Sequence, residues 1–228
     1  MRNTWLFVLL LVFVLPLYAQ SSDTRPGFDG KREYIDNMLR SSLNTELPKP
    51  LGSPYMAEDF VPAKINHFTT TQLVRYNAAS DNMEFRNSKN DILVLNKLND
   101  YTITLNNSKK VYQTVTYTNG KRGFAVLLWG DKDSENALFL KERKEFIPKK
   151  VTSNSYGNDQ PAKYEKLKDV LYLRGADGTL AEVPLGKKKF SEMFKGKEKE
   201  VQQYIKKNNL KIRKQEDIKK VLAFVQEH

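Results

Sequence analysis

Two runs, Val111-Tyr-Gln-Thr-Val-Thr-Tyr117 and Phe124-Ala-Val-Leu-Leu-Trp129, are rich in β-branched and aromatic residues, and the loop between them contains Asn119-Gly120. An Asn-Gly pair in this position predicts a β-hairpin with a type I′ turn, because both central residues of that turn have positive φ. The second run is apolar throughout, which predicts a central strand covered on both faces. Helices from the two ends of the chain are expected to supply the second cover.

The aromatic residues of this hairpin are predicted to lie in the core. Alternation along a strand sends Tyr112 and Tyr117 to opposite faces, so these two residues, Phe124 and Trp129 cannot all line one surface. We therefore expect cross-strand packing between aromatic side chains. The alternative is an exposed aromatic platform that binds sugars.

The pattern of short runs separated by Asn, Asp, Gly and Ser extends from Phe60 to Leu185. The other predicted strands are Phe60–Ile65, Thr71–Tyr76, Met83–Arg86, Ile92–Leu95, Tyr101–Leu105, Ala137–Phe146, Val170–Arg174 and Thr179–Val183. Gly175-Ala-Asp-Gly178 predicts a second hairpin turn, and residues 151–162 predict an irregular loop. Regular short strands joined by tight turns indicate an antiparallel meander, either an open sheet or a half-barrel.

Helical periodicity flanks the predicted sheet. An amphipathic stripe predicts an N-terminal helix over residues 31–43, and a proline-rich linker follows it to residue 55. Near the C-terminus, apolar spacing predicts one helix from about residue 190 to Asn208 and a second over residues 215–226. Gly196 lies inside the first of these and lowers its stability by about 1 kcal/mol relative to alanine. The fold class is therefore predicted to be α+β, with residues 20–55 preceding a single β-rich domain over 56–228 that ends in two basic helices from about residue 187.

Residues 1–19 have the layout of a secretory signal peptide. Arg2 precedes an apolar run from Trp5 to Val14, and Pro16 stands before the small residue Ala19. The alternative is an uncleaved membrane anchor, but a spanning helix needs about 20 apolar residues and this run is shorter. We expect cleavage after Ala19, export to the periplasm or the cell exterior, and no transmembrane span in the mature chain.

The positive charge is concentrated toward the C-terminus. The whole chain has 38 Lys and Arg against 27 Asp and Glu, and 22 of the basic residues but only 13 of the acidic ones follow Leu140. The predicted anion-binding residues are Lys187, Lys188, Lys189, Lys206 and Lys207. Such clusters attract polyanions, here an anionic envelope glycolipid or polysaccharide, although interspersed acids are also typical of an ordinary solvated helix face.

Composition limits the chemistry that is available. The chain contains no cysteine and two histidines, which excludes disulfides, thiol nucleophiles and zinc sites built from several histidines. Asp131, Asp133 and Glu135 have the oxygen spacing that begins a calcium loop, but Asn136 stands where the sharp turn requires glycine. A polar turn between strands is the favoured interpretation, and no cofactor is expected. Nucleic acid is not an expected partner, because no recognised reader motif is present.

His67 is the one residue that suggests an enzyme. It could act as a base for a nearby Ser or Thr in a secreted hydrolase, but no nucleophile motif accompanies it. A lone histidine at the end of a strand is more often a surface or packing residue. We therefore expect a non-enzymatic binding or structural protein of the cell envelope, with the hydrolase as the alternative.

Several short motifs together resemble a family of proteins. They are Val74-Arg75-Tyr76-Asn77, Asp81-Asn82-Met83-Glu84, Tyr156-Gly157, Pro161-Ala162-Lys163, Tyr172-Leu173, Val183-Pro184-Leu185, Lys187–Phe190 and Tyr204-Ile205-Lys206-Lys207-Asn208. From residue 52 onward the chain resembles uncharacterised, signal-peptide-bearing envelope proteins of Bacteroidota. The resemblance implies an envelope location, periplasmic or extracellular, and assigns no catalytic residues. Other envelope proteins are possible partners on this interpretation.

Overall fold

The structure, a computed structural model, describes residues 49–131, 133–151 and 159–227. The predicted signal peptide, the predicted N-terminal helix and the first residues of the proline-rich linker, up to residue 48, lie outside the described residues. The described end of that linker is attached to the β-rich domain, since Leu51 forms a bridge with Lys163 and Tyr55 forms one with Asn77.

Antiparallel strands make up most of the described chain. They are β1 Val61–Ile65, β2 Gln72–Asn77, β3 Asn82–Arg86, β4 Ile92–Val94, β5 Thr102–Leu105, β6 Val111–Thr116, β7 Arg122–Trp129, β8 Leu138–Lys141, β9 Lys144–Ile147, β10 Lys163–Lys166, β11 Val170–Arg174 and β12 Leu180–Glu182. Ten of them form one sheet in the order β12-β11-β8-β7-β6-β5-β1-β2-β3-β4, and β9 and β10 form a second sheet. The predicted antiparallel α+β architecture is confirmed for the described residues.

Strand prediction differs from the structure at two places. The predicted strand Ala137–Phe146 is divided at Glu142 and Arg143, because β8 joins the large sheet while β9 pairs with β10. Strand β10 itself was not predicted; its sequence, Lys-Tyr-Glu-Lys, carries one apolar side chain and so lacks a hydrophobic pattern.

The hairpin between β6 and β7 is confirmed, but its predicted type I′ turn is wrong. Gly120 has φ +76, whereas Asn119 is not among the residues with positive φ. The Gly120 N–H donates to Tyr117 O at 2.8 Å and the Tyr117 N–H donates to Lys121 O at 2.9 Å. This is a longer loop in which a turn is followed by a left-handed glycine. Gly175–Gly178 forms the second predicted hairpin turn with the same pattern, and Gly178 has φ +78.

The sheet curls, so its two faces enclose separate clusters. On one face of β7, Phe124 and Val126 pack with residues of β1, β2, β3, β5 and β6. On the other face, Ala125 and Leu127 pack with residues of β6, β8, β11 and β12. β7 is therefore central and covered on both sides, as predicted, but mostly by the sheet itself, with the C-terminal helices reaching Leu128 and Trp129 at its end.

The aromatic residues of the hairpin lie in the core, as predicted. Tyr112 packs in the first cluster against Tyr76, with ring centroids 5.1 Å apart. Tyr117 packs on the opposite face against Tyr172, at 4.9 Å. An exposed platform formed by these residues is thereby contradicted.

Three helices follow β12: α1 Lys187–Ser191, α2 Glu198–Lys207 and α3 Gln215–Glu227. The first predicted helix is in fact α1 and α2: α1 ends at Ser191, and Gly196, with φ +84, keeps the segment before α2 out of helical geometry. Leu210 and Ile212 are buried between α2 and α3, as their spacing predicted. Together the helices bury their apolar stripes against Leu138 and Leu173 of the sheet.

Candidate functional site

The five predicted anion-binding lysines are all exposed. Lys187, Lys188 and Lys189 form the first turn of α1, and Lys206 and Lys207 form the last turn of α2. Within the described chain, none of them forms an ion pair. Positive charge at the end of α2 also stabilises that helix through its dipole, so Lys206 and Lys207 have a structural role in addition to any binding role.

Three acidic residues of the same helices, Glu198, Glu216 and Asp217, are engaged locally. Glu198 accepts a hydrogen bond from the Gly196 N–H at 3.0 Å, and Asp217 accepts one from the Lys211 N–H at 2.9 Å. These backbone hydrogen bonds lower the pKa of both carboxyl groups below their ordinary values. Lys219 and Lys220 pair with Glu216 and Asp217. The acids therefore cap the starts of helices and pair with lysines outside the predicted set.

A cleft between α2 and α3 brings one of the predicted lysines close to aromatic rings. Tyr204 and Phe224 stack with centroids 4.2 Å apart and planes 9° apart. Lys207 and Lys220 both line the cleft beside them, which has a volume of about 510 Å³. Aromatic faces flanked by ammonium groups suit a ligand that has both an apolar part and an acidic group.

The calcium prediction concerns a loop between β7 and β8. Asp131, Asp133 and Glu135 are exposed, and Asn136 has φ +63 in the position that glycine occupies in a calcium loop. Among the described residues, no three histidine or acidic side chains come together as a metal-binding group. The Asn136 N–H donates to Arg174 O at 2.9 Å, which ties this loop to β11.

His67 is exposed at the end of β1. Its Nε2 lies 2.8 Å from the backbone oxygen of Asp100, and its ring contacts Tyr101 edge to face with centroids 5.7 Å apart. These contacts fix the loop after β1 against the start of β5. The hydrolase alternative stays a prediction, and the contacts of His67 are those of a packing residue.

Two neighbouring residues of the β8 end, Lys141 and Glu142, form buried polar contacts that the sequence did not reveal. The Lys141 ammonium group pairs with Asp81 and donates to Phe124 O at 2.8 Å. The Glu142 carboxylate accepts hydrogen bonds from Lys110 at 2.8 Å and from the Tyr112 hydroxyl at 2.5 Å. Burial lowers the pKa of Lys141, and the Asp81 carboxylate opposes that effect. Both sets of contacts hold strands together and face the sheet interior.

Tyr76, Tyr112 and Tyr117 surround these groups. Burial is the main reason that the pKa of each phenol is raised well above its ordinary value, and nearby Asp81 or Glu142 adds to the effect. The Tyr76 hydroxyl donates to Asp81 at 2.9 Å. The buried Tyr117 hydroxyl has no hydrogen-bond partner among the described residues.

A polar pocket, the arginine pocket, lies where β6 extends past β5. The ladder from β5 continues as far as the hydrogen bond from the Thr114 N–H to Tyr101 O, and β6 runs two residues further. The pocket has a volume of about 290 Å³. It is lined by Asn66, Asp100, Tyr101, Thr102, Gln113, Thr114, Val115, Thr116, Arg122, Asp133, Arg174 and Gly178.

Sequence reasoning missed the two arginines of this pocket. Arg122 follows the first hairpin turn and Arg174 precedes the second, so each stands beside a turn that was predicted. The curl of the sheet brings the two turns together, since the Thr118 N–H donates to Leu180 O at 3.1 Å. The one signal in the sequence was that both arginines lie next to predicted turns. Local patterns do not show that the two turns lie close together.

The fold and the candidate sites together define a domain that consists of a curled antiparallel β-sheet and a layer of basic helices. No protein-family model, curated protein or solved structure matches this chain. In the part of the chain that the structure describes, no helix is both long and apolar enough to cross a membrane.

Proposed function

We propose that this protein is an exported, non-enzymatic binding protein of a bacterial envelope and that its C-terminal helices bind an anionic glycolipid or polysaccharide. The binding residues are Lys187, Lys188, Lys189, Lys206 and Lys207. Both ligands present repeated negative groups on a sugar scaffold, and that shared chemistry is what exposed ammonium groups recognise.

The observation that carries the proposal is the difference in pairing between these lysines and the nearby acids. The five lysines are exposed and make no ion pair with any described residue, whereas Glu198 and Asp217 are held by backbone N–H groups at helix starts. Interspersed acids therefore do not neutralise the lysines by direct contact. Exposed ammonium groups without local partners keep their attraction for an external polyanion.

The test measures binding of the full chain to three probes: lipopolysaccharide, vesicles of phosphatidylcholine, and dextran sulfate. Binding to lipopolysaccharide or to dextran sulfate, lost as salt is raised, is expected, because screening weakens contacts between exposed charges. Lipopolysaccharide alone would identify a glycolipid ligand, and both probes would identify general polyanion binding. Equal binding to phosphatidylcholine, or no binding to either anionic probe, would overturn the proposal.

Two matched variants separate the lysine surface from net charge. One replaces the five predicted lysines by glutamine. The other replaces five exposed lysines elsewhere, Lys64, Lys89, Lys121, Lys150 and Lys168. Both lose the same charge, so only the first is expected to lose about tenfold or more in affinity. Equal losses would show that net charge, rather than this surface, is responsible.

A further inference from the structure

The arginine pocket contains donors that the folded chain leaves unused. Arg122 bonds through Nη2 to Asp100 and to Asn99 O at 3.4 Å, while its buried Nε has no partner among the described residues. Gln113 is 4% exposed, and its Oε1 accepts a hydrogen bond from Arg174 Nη2 at 3.4 Å. Its amide nitrogen makes no hydrogen bond with any residue that the structure describes. Gln113 lines the pocket, so its amide nitrogen is a donor that an acceptor entering the pocket can reach.

In the arginine pocket the positive groups are partly buried and the negative groups are exposed. The guanidinium groups of Arg122 and Arg174 are partly buried, and Arg174 lies over the Phe139 ring at 4.8 Å. Asp133 is an exposed residue, and the side chain of Asp100 is 87% exposed. Burial lowers the pKa of Arg174, which means that its positive charge is poorly solvated. An exposed carboxylate such as Asp100 is a weak partner that a better-placed anion can replace.

We propose that the arginine pocket binds a carboxylate-bearing sugar, an acid of the uronate type. The carboxylate would accept hydrogen bonds from the guanidinium of Arg122 and the amide of Gln113. Planar guanidinium groups match carboxylates in geometry and charge, which makes these contacts stronger than those between neutral groups. Thr102, Thr116 and Asn66 line the same pocket and supply groups that pair with sugar hydroxyls.

The size and the charge balance of the pocket favour a small monoanion. About 290 Å³ is near the lower limit of small-molecule pockets, which is about 300 Å³. Two arginines and two aspartates line it, so its formal charge is balanced before a ligand enters. Both aspartates are exposed, so water screens their charges, whereas the two arginines are partly buried; the pocket therefore compensates one negative charge better than the two of a phosphate.

This inference does not depend on the proposed function. The pocket lies at the β6 end, and none of the five predicted lysines lines it. Monomeric sugars test it separately from polymers, because a single sugar acid carries one charge and does not bridge several exposed lysines.

The experiment titrates the full chain with glucuronate and galacturonate by calorimetry and by ligand-observed NMR. Glucose and a sugar phosphate are the comparators. Saturable binding of a sugar acid, at least about tenfold tighter than that of glucose, is expected. No binding of either sugar acid to the folded chain, or equal binding of glucose, would overturn the proposal.

Variants of the pocket assign the binding to these residues. Gln113→Glu keeps the shape of the side chain and places a carboxylate opposite the ligand, so binding is expected to be lost, and Arg122→Gln is expected to weaken it about tenfold or more. Arg143→Gln, at an exposed arginine outside the pocket, is the charge-matched control and should leave binding unchanged. Thermal unfolding of each variant verifies the fold. Binding that survives both pocket substitutions in folded protein would contradict the assignment.

Discussion

The Lys141 ammonium group of β8 pairs with the Asp81 carboxylate in the turn between β2 and β3, although four strands separate β8 from β2 in the sheet. The same carboxylate oxygen accepts hydrogen bonds from the Tyr76 hydroxyl at 2.9 Å and the Phe124 N–H at 3.0 Å. Asp81 has φ +55, which places its side chain against β7. This pair therefore joins distant strands across the inside of the curl.

Asp81→Asn is expected to destabilise the protein by about 2–3 kcal/mol, because it keeps the shape and the backbone conformation but leaves Lys141 without its charged partner. The figure is below that for a fully buried pair, since the Lys141 and Asp81 side chains are 12% and 25% exposed. Urea unfolding measures it. Lys141→Met added to Asp81→Asn should recover part of the loss, and strictly additive effects would show that the two groups are not coupled.

Gly123→Ala is expected to destabilise the protein because the new Cβ would clash with Asp81 Oδ2 and lie 3.2 Å from the Tyr117 ring. Relief of such overpacking shifts backbone and side chains at a cost of about 1–3 kcal/mol. Asp81→Gly removes the carboxylate and fits the positive φ of that position. The loss caused by Gly123→Ala should therefore be smaller in the Asp81→Gly background, and an equal loss in both backgrounds would locate the clash elsewhere.

Tyr117→Phe and Tyr112→Phe are expected to have opposite effects on the free energy of unfolding. The buried Tyr117 hydroxyl has no partner among the described residues, so its removal should stabilise the protein by about 1 kcal/mol. The Tyr112 hydroxyl donates to Glu142, so its removal should destabilise by about 1–3 kcal/mol. Chemical denaturation of the two single variants makes the comparison. Destabilisation of similar size in both would contradict it.

Stability is expected to be nearly constant between about pH 6 and pH 9 and to fall above about pH 10. The pKa values of Tyr76, Tyr112 and Tyr117 are raised by burial, so above pH 10 the unfolded chain loses phenol protons that the folded chain retains. The stability that these groups contribute is complete below the ordinary tyrosine pKa and is lost as the pH rises. The lowered pKa of Lys141 has the opposite effect on the pH dependence of stability. Just below the ordinary lysine pKa the folded chain has already lost this proton, which offsets one of the three protons that the buried tyrosines retain.

The alkaline fall should be about 1.4 kcal/mol per pH unit for each proton by which the two states differ. Urea midpoints between pH 8 and 11 (about the range set by these groups) measure it, and phenolate absorbance reports which tyrosines ionise. Tyr117→Phe should flatten the fall by one proton. Ionisation of every tyrosine in the folded state near pH 10 would contradict the burial on which this rests.

Local patterns predicted most of the elements and little of their assembly. β-branched runs and glycine turns located β6, β7 and β11, since alternation and turn chemistry act over a few residues. The break between α1 and α2 was missed because Gly196 was treated as a residue inside one helix, whereas it adopts positive φ in the segment between the two helices. The pairing of β1 with β5, between strands that are not consecutive, has no local signal.

The residues of the candidate sites were likewise predicted where the signal is local and missed where it depends on how the strands assemble. The lysine clusters were visible in the sequence, because the charge of a run is a local property. Arg122 and Arg174 were not recognised, because they share a pocket through the curl of the sheet and through the contact of Thr118 with Leu180. Asp81 and Lys141 were missed for the same reason, since their pairing depends on how β8 lies against the turn after β2.

The most direct test of the proposed function is the salt dependence of lipopolysaccharide binding by the full chain, compared between the variant without the five helix lysines and its charge-matched control. The account predicts that binding weakens as salt is raised and that the affinity falls by about tenfold or more in the first variant alone. Binding that is absent, insensitive to salt, or reduced equally in both variants would contradict it.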